Sequence, residues 1–124
     1  MGDGSILLAA DSLLAAFGPR TRLSTAELAE AAGGDEMLLT RALLFLRERD
    51  EVFTVAGSDL LYHRSNLVAE VTRALRTSGP RDAPGLSEEL DLPVAIVCEV
   101  LGWLERAGTV TPLHEEERVA WRAV

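Results

Sequence analysis

Hydrophobic residues recur at intervals of three and four in three stretches of the first half of the chain, with polar residues between them. This period predicts amphipathic helices over about residues 5–17, 25–31 and 36–49. After the third helix the pattern changes to alternation, which predicts a hairpin with strands at 51–55 and 60–63. We therefore expect three helices followed by one hairpin.

Short polar motifs indicate where these elements begin. Ser5 is expected to cap the first helix, and Asp35 the third. Ser24 and Glu27 have the spacing of a capping box, in which each side chain bonds to the other residue's backbone N–H. The hairpin turn is predicted at residues 56–59, where Gly, Ser and Asp are concentrated.

The same order of elements is predicted again in the second half of the chain. The predicted elements are a helix over 66–77 capped by Ser65, a loop over 78–85, a short helix over 86–90, a third helix from Pro93, and strands over 109–113 and 118–123. Gly108 is expected to end the third helix in the left-handed conformation.

Two stretches of the chain superpose directly. Residues 96–110 repeat the pattern of residues 38–52 at an offset of 58 positions, with Leu43 on Leu101 and Phe45 on Trp103. Such self-similarity predicts two similar domains, which we place at residues 1–63 and 64–124. The predicted fold class is mainly α with small β-hairpins (α+β), as two winged-helix domains in tandem.

The motifs of the first half resemble those of a known family. Residues 23–63 resemble a bacterial winged helix-turn-helix, because they combine the Ser24–Glu27 capping box, the turn at Gly33 and Gly34, and an apolar helix end at residues 43–46 before a strand. The resemblance implies a tandem winged-helix protein when the repeat is taken into account.

A looser resemblance covers most of the chain. Residues 23–124 resemble the tandem winged helices that end the selenocysteine-specific elongation factor. The residues that carry this resemblance are 61–63, which lead straight into a helix, 101–110, and Arg118 with Val119. In that family these domains hold an RNA hairpin. Similar tandem winged helices also occur as protein-binding subunits of bacterial chromosome-condensing complexes and endosomal sorting complexes, so the fold by itself leaves the class of partner open.

Composition and charge narrow the possible partners. The 124 residues are 48% hydrophobic and carry a net charge of −8, which on average repels nucleic acids and membrane surfaces. No apolar run reaches the roughly 20 residues of a membrane span, so no membrane role is expected. A single cysteine, Cys98, excludes an internal disulfide and fits a cytoplasmic location.

Recognition of DNA or RNA is expected, if anywhere, in the first repeat. Thr40 and Arg41 lie at outward positions of the predicted third helix, and Arg20 and Arg22 could add phosphate contacts. Acidic residues at the start of that helix would oppose phosphate. In the second repeat the corresponding helix has no basic residue before Arg106.

Enzyme motifs are absent from the sequence. No Gly-rich phosphate loop and no nucleophile elbow is recognisable, so we expect no enzyme activity, no catalytic residue, no cofactor and no small-molecule substrate. His114 stands beside acidic residues 115–117, which we interpret as a solvated turn and not a metal site. Cys98 is expected on the inner face of its helix as a buried thiol.

Excess apolar surface is the more informative feature. The first helix is apolar on nearly all sides, which leaves Leu8 outside one core, and the third helices offer further candidates. The predicted interface residues are Leu8, Leu38, Leu39, Val94 and Val97. We therefore expect a protein-interaction, assembly or regulatory module that binds a protein partner or forms a homodimer; the alternative is a nucleic-acid-binding transcription regulator that uses the first repeat, or an RNA-hairpin binder.

Overall fold

A computed structural model describes residues 3–55, 57–115 and 118–124. Within these residues the chain forms six helices and six strands. The helices are α1 (Asp3–Phe17), α2 (Thr25–Ala32), α3 (Glu36–Glu48), α4 (Arg64–Ser78), α5 (Ala83–Leu90) and α6 (Val94–Arg106). The strands are β1 (Arg22–Ser24), β2 (Val52–Thr54), β3 (Leu60–His63), β4 (Arg81–Asp82), β5 (Val110–Glu115) and β6 (Arg118–Ala123).

The chain divides into two compact units, Met1–Asn66 and Leu67–Val124. Each unit has the order helix, strand, helix, helix, strand, strand along its described residues, which is the order of a winged helix. Each also has one three-stranded antiparallel sheet, β1-β3-β2 in the first and β4-β6-β5 in the second. The predicted fold class, helices with small sheets in winged-helix domains, is confirmed.

The core of the first unit forms between α1, α3 and the central strand β3. Leu13 and Phe17 of α1 are at most 2% exposed, as are Leu46 of α3 and Val52 of β2. Leu61 of β3 pairs with β1 on one side and β2 on the other, and its side chain is buried in the same cluster. Apolar residues at helical spacing on α1 and α3 therefore pack against the inner face of the small sheet.

Two predicted helix caps are confirmed by their hydrogen bonds. The N–H of Ser24 donates to Oε1 of Glu27 at 3.0 Å, and the N–H of Glu27 donates to Oγ of Ser24 at 3.1 Å. At the start of α3, the N–H of Met37 donates to Oδ1 of Asp35 at 3.0 Å. These bonds satisfy N–H groups that have no partner within the helix, which fixes where α2 and α3 begin.

Two other predicted helix starts are wrong. The helix α1 begins at Asp3, so Ser5 lies inside it and does not cap it. The helix α4 begins at Arg64, and its side-chain cap is His63 instead of Ser65, because Nδ1 of His63 accepts the N–H of Asn66. An imidazole nitrogen can accept a hydrogen bond as a Ser hydroxyl does, although His is not among the preferred capping residues.

The second unit differs from the sequence prediction mainly before its short helix. The segment predicted as a loop contains β4 and the start of α5, and Oδ1 of Asp82 caps that helix by accepting the N–H of Gly85 at 2.8 Å. Pro84 fits in the first turn, where its missing N–H has no cost. Gly108 has φ +77° after α6, which confirms the predicted left-handed end.

The predicted burial of Cys98 is wrong. The thiol is exposed, because the buried face of α6 is formed by Ile96, Val97, Val100, Leu101 and Leu104. Position 98 lies about 100° from position 97 around the helix, which turns it away from that face.

Two predicted turns include residues outside the described ones, namely Ala56 in the first hairpin and Glu116 with Glu117 in the second. No helix within the described residues combines the length and the apolar character needed to span a membrane.

Candidate functional site

The helix α1 buries one face and leaves apolar residues on the other. Ala10 and Leu13 are at most 3% exposed, whereas Leu8 is 71% exposed and Leu7 is 49% exposed. The sequence explains this contrast, because α1 is apolar around most of its circumference while a core covers only one side of it. A single exposed Leu is common on protein surfaces, so its surroundings decide whether it indicates a binding site.

Leu8 lies at a groove with apolar walls. The groove has a volume of about 300 Å³ and lies between the first half of α1, the α2–α3 turn and the first turns of α3. Its apolar lining residues are Leu8, Ala9, Ala32, Leu38 and Leu39. We call it the α1–α3 groove. Three of the predicted interface residues, Leu8, Leu38 and Leu39, therefore meet at one site although about thirty positions separate them in the sequence.

The rim of the α1–α3 groove is polar. Ser5 and Ser12 line it from α1, and the backbone of Gly33 and Gly34 with the side chain of Asp35 lines it from the turn. The two glycines have φ +66° and +89°, and a Cβ atom at either would meet no atom within 4 Å. The turn therefore requires glycine for its backbone conformation and not for space.

A second cavity lies on the other side of Leu39. It has a volume of about 290 Å³ and is bounded by Thr25 and Ala29 of α2 and by Glu36 and Thr40 of α3. Gly34 and Leu39 line both cavities. The half-buried Leu39 side chain thus separates two depressions along the N-terminal part of α3.

The outer face of α3 is also partly apolar. Met37 is 65% exposed and Leu44 is 52% exposed, and Arg41 is exposed between them. Spacings of four and three residues place all three on one face of the helix. In a winged helix that reads DNA, this helix lies in the major groove and presents polar or basic side chains to the bases. In this chain the corresponding face presents Met37 and Leu44, an apolar pair, on either side of Arg41.

The residues predicted to contact nucleic acid have different surroundings. Arg20 lies 3.7 Å from the carboxylate of Glu27, and Arg22 is half-buried in β1. The hydroxyl of Thr40 is exposed but donates to the carbonyl of Glu36 at 3.0 Å. Arg41 is thus the most available of the four for a phosphate.

Two further arginines of the first unit take part in local contacts. Arg47 donates from Nη2 to the hydroxyl of Thr54 at 3.4 Å. The guanidinium of Arg49 lies 5.2 Å from the centre of the Phe45 ring and 3.6 Å from the carboxylate of Glu51. These cations help to hold α3 against the strand that follows, which gives them a structural use.

In the second unit, the two predicted interface residues differ in exposure to solvent. Val94 is 44% exposed at the start of α6, whereas Val97 is completely buried. The prediction that Val97 belongs to an exposed surface is therefore wrong. Val97 belongs to the same stripe as Val100 and Leu101, which the core of that unit requires.

The described residues contain no cluster of three or more His, Cys, Asp or Glu side chains that could hold a metal ion. His114 and Glu115 are exposed on β5, and the remaining acidic residues of that predicted turn lie outside the described part. His63 is half-buried and has a structural use as a helix cap.

Part of this surface could not be recognised in the sequence. Leu44 follows Met37 by seven residues, and this spacing places both on the same face of the helix without indicating whether that face is exposed. No local sequence pattern predicts that α1 lies beside the α2–α3 turn, because this arrangement depends on how helices that are distant in the sequence pack together.

Comparisons with known proteins give similarity to solved structures. No family model matches the chain, and no curated protein is similar to it in sequence. A solved structure described as the mRNA-binding domain of elongation factor SelB from E. coli in complex with SECIS RNA is similar at 17% sequence identity. The match covers 98% of this chain and 99% of that one, with a TM-score of 0.48. The assignment to winged helices made above depends on the element order and the sheet topology.

Proposed function

We propose that this chain is a non-enzymatic winged-helix module that binds another protein through the α1–α3 groove and so serves as an assembly or regulatory subunit. The observation that carries this proposal is the 71% exposure of Leu8 beside a groove whose walls include Leu38 and Leu39. We further propose that the module consists of two winged-helix domains at residues 1–63 and 64–124.

The size and chemistry of the groove suit a small number of apolar side chains. Ligand sites typically have volumes of about 300–1,000 Å³, so the α1–α3 groove is at the small end of that range. Burial of one Leu or Val side chain is worth about 1.5–3 kcal/mol. A few buried side chains would thus support binding in the micromolar range after association entropy is subtracted.

The charge of the chain favours a protein over a nucleic acid. Phosphate contacts supply most of the affinity of nucleic-acid binding proteins, and they require available cations. The net charge of −8, the Arg20–Glu27 ion pair and the apolar residues on α3 all oppose that mode.

A second candidate function is nucleic-acid binding by α3. The observation in its favour is that Arg41 is exposed on the helix that a DNA-reading winged helix would use, with Thr40 beside it. RNA or DNA binding of this kind would depend on Arg41 and would weaken steeply with salt.

Selection of random peptides on the immobilised full chain would test the main proposal. We expect ligands whose binding is lost in Leu8→Glu and retained in Leu7→Glu. Both substitutions add one carboxylate to an exposed Leu of α1, but only Leu8 lines the groove. Ligands that bind the two variants equally would overturn the proposal. It would also be overturned if no peptide ligand were selected while RNA or duplex DNA bound tightly through Arg41.

A further inference from the structure

The charged residues around the α1–α3 groove all have one sign. Helix α1, helix α2 and the first turn of α3 contain no Lys or Arg, since the basic residues nearest in sequence are Arg20, Arg22 and Arg41. Asp11 is exposed beside Ser12, and Asp35 lines the groove itself. Glu36, which is also exposed, lines the neighbouring cavity across Leu39.

An ion pair of the first unit lies close to this region in the sequence but not at the groove. The guanidinium of Arg20 lies 3.7 Å from the carboxylate of Glu27, which is not among the residues that line the groove. At physiological ionic strength charges act over about 8 Å, so a ligand in the groove would experience mainly the carboxylates at its rim. The rim therefore favours cationic side chains and repels acidic ones.

The walls of the groove indicate the shape of its ligand. Its lining residues come from α1, α3, the last residue of α2 and the turn between α2 and α3, so an added strand would find no sheet edge there. An amphipathic helix can place apolar side chains into such a groove at spacings of three and four residues. Its flanking polar positions would then lie near Asp35, which lines the groove, near Asp11, which is next to the groove-lining Ser12, and near Glu36 of the neighbouring cavity.

Resting on the proposed function, we infer that the ligand of the α1–α3 groove is a cationic amphipathic helix of a partner protein. Its apolar face contacts Leu8, Leu38 and Leu39, and its Lys or Arg residues lie against the acidic rim. A second copy of the chain is a poor ligand through α1, because α1 has no basic residue and would bring Asp11 toward Asp35.

Two designed peptides would test this inference with the full chain. One is a helical peptide of about 18 residues, or five turns, made of Leu, Ala and Lys. The other is identical except that Glu replaces every Lys. We expect the Lys peptide to bind about ten-fold or more tightly than the Glu peptide, and its affinity to fall between about 50 and 500 mM salt as the rim charges are screened.

Two sets of variants separate the apolar part of the contact from the charged part. Leu8→Ser removes the apolar side chain without adding a carboxylate that would itself attract Lys, and it should abolish binding of the Lys peptide, whereas Leu7→Ser should leave it intact. The triple variant D11N/D35N/E36Q should reduce the preference for the Lys peptide to about two-fold. Asn at position 35 still caps α3, because Asn and Asp are equivalent caps, so this variant should fold.

The possible failures are distinguishable. Equal binding of both peptides, lost in Leu8→Ser, would leave the proposed function intact and overturn the inferred charge of the ligand. Binding of the Lys peptide that is insensitive to Leu8→Ser would reveal non-specific adsorption and overturn the inference, as would binding of neither peptide. Self-association that Leu8→Glu disperses in light scattering would assign the groove to a second copy and overturn it as well.

Discussion

Nδ1 of His63 accepts a hydrogen bond from the backbone N–H of Asn66 at 3.1 Å, and this contact caps α4 where it leaves β3. The amide of Asn66 in turn donates to the carbonyls of Gly18 at 2.9 Å and Arg20 at 2.7 Å. The ring of His63 also meets Phe17 edge-on, with centroids 5.1 Å apart. Within the first unit, His63 and Asn66 are thereby tied to the end of α1 and the residues that follow it, so both bear on the stability of that unit.

The cap requires a neutral imidazole, which makes stability depend on pH. Burial lowers the pKa of His63 below its usual 6.5, although a backbone hydrogen bond and the Glu51 carboxylate act in the opposite direction. The unfolded chain then binds more protons than the folded one just below pH 6.5. The stabilisation is present above pH 6.5 and is lost as the pH falls toward the folded pKa of His63.

Urea unfolding measured between about pH 5 and 8 would check this expectation. In His63→Asn the slope of stability against pH over this range should be smaller than in the unsubstituted chain. Asn retains a capping side chain without titrating. Identical slopes would show that His63 does not couple folding to protonation.

The amide of Asn66 should contribute more to stability than the hydroxyl of its neighbour. Asn66→Ala removes two hydrogen bonds to backbone carbonyls and should lower the free energy of unfolding by about 1–3 kcal/mol. Ser65 is exposed and does not provide the cap, so Ser65→Ala should change stability by about 0.5 kcal/mol or less. A large loss of stability in Ser65→Ala would instead indicate that Ser65 caps α4, as the sequence predicts.

Val94 and Val97 form a matched pair for the second unit. Val97→Ala should destabilise the chain by roughly 2 kcal/mol, because it leaves a gap in a completely buried site. Val94→Ala should cost about 0.5 kcal/mol or less, since Val94 is 44% exposed. Thermal or urea unfolding would measure both losses of stability, and equal losses would contradict the burial of Val97 and the exposure of Val94.

Nucleic-acid binding should be weak and should depend on one residue. With the other arginines of the first unit engaged locally, we expect no nanomolar binding to random duplex DNA at physiological salt. Any weaker binding in a shift assay should fall in Arg41→Ala and should decrease with salt. Tight binding that is independent of salt would contradict both expectations.

Local features of the fold could be predicted from the sequence, because neighbouring residues determine them. The Ser24–Glu27 box, the Asp35 cap and the left-handed Gly108 each require contacts or dihedral angles within a few residues. The cap by His63 was missed because it depends on a ring orientation that packing against Phe17 supports. A preference for Ser at helix starts pointed instead to Ser65.

Residues that depend on packing were only partly predictable. Periodicity correctly indicated that α1 has more apolar surface than one core covers, and it included Leu8 among the candidates. It could not decide between Val94 and Val97, since both lie within a wide apolar arc and only tertiary packing selects the buried part. The α1–α3 groove likewise appears only when α1 meets the α2–α3 turn.

The most direct test of the central claim is the affinity of a selected peptide ligand for Leu8→Glu and Leu7→Glu, measured by isothermal titration. Circular dichroism should first show that both variants keep their helices, since both side chains are exposed. The α1–α3 groove account predicts a loss of about ten-fold or more in Leu8→Glu and a change of about two-fold or less in Leu7→Glu. Equal affinities of the two folded variants would contradict it.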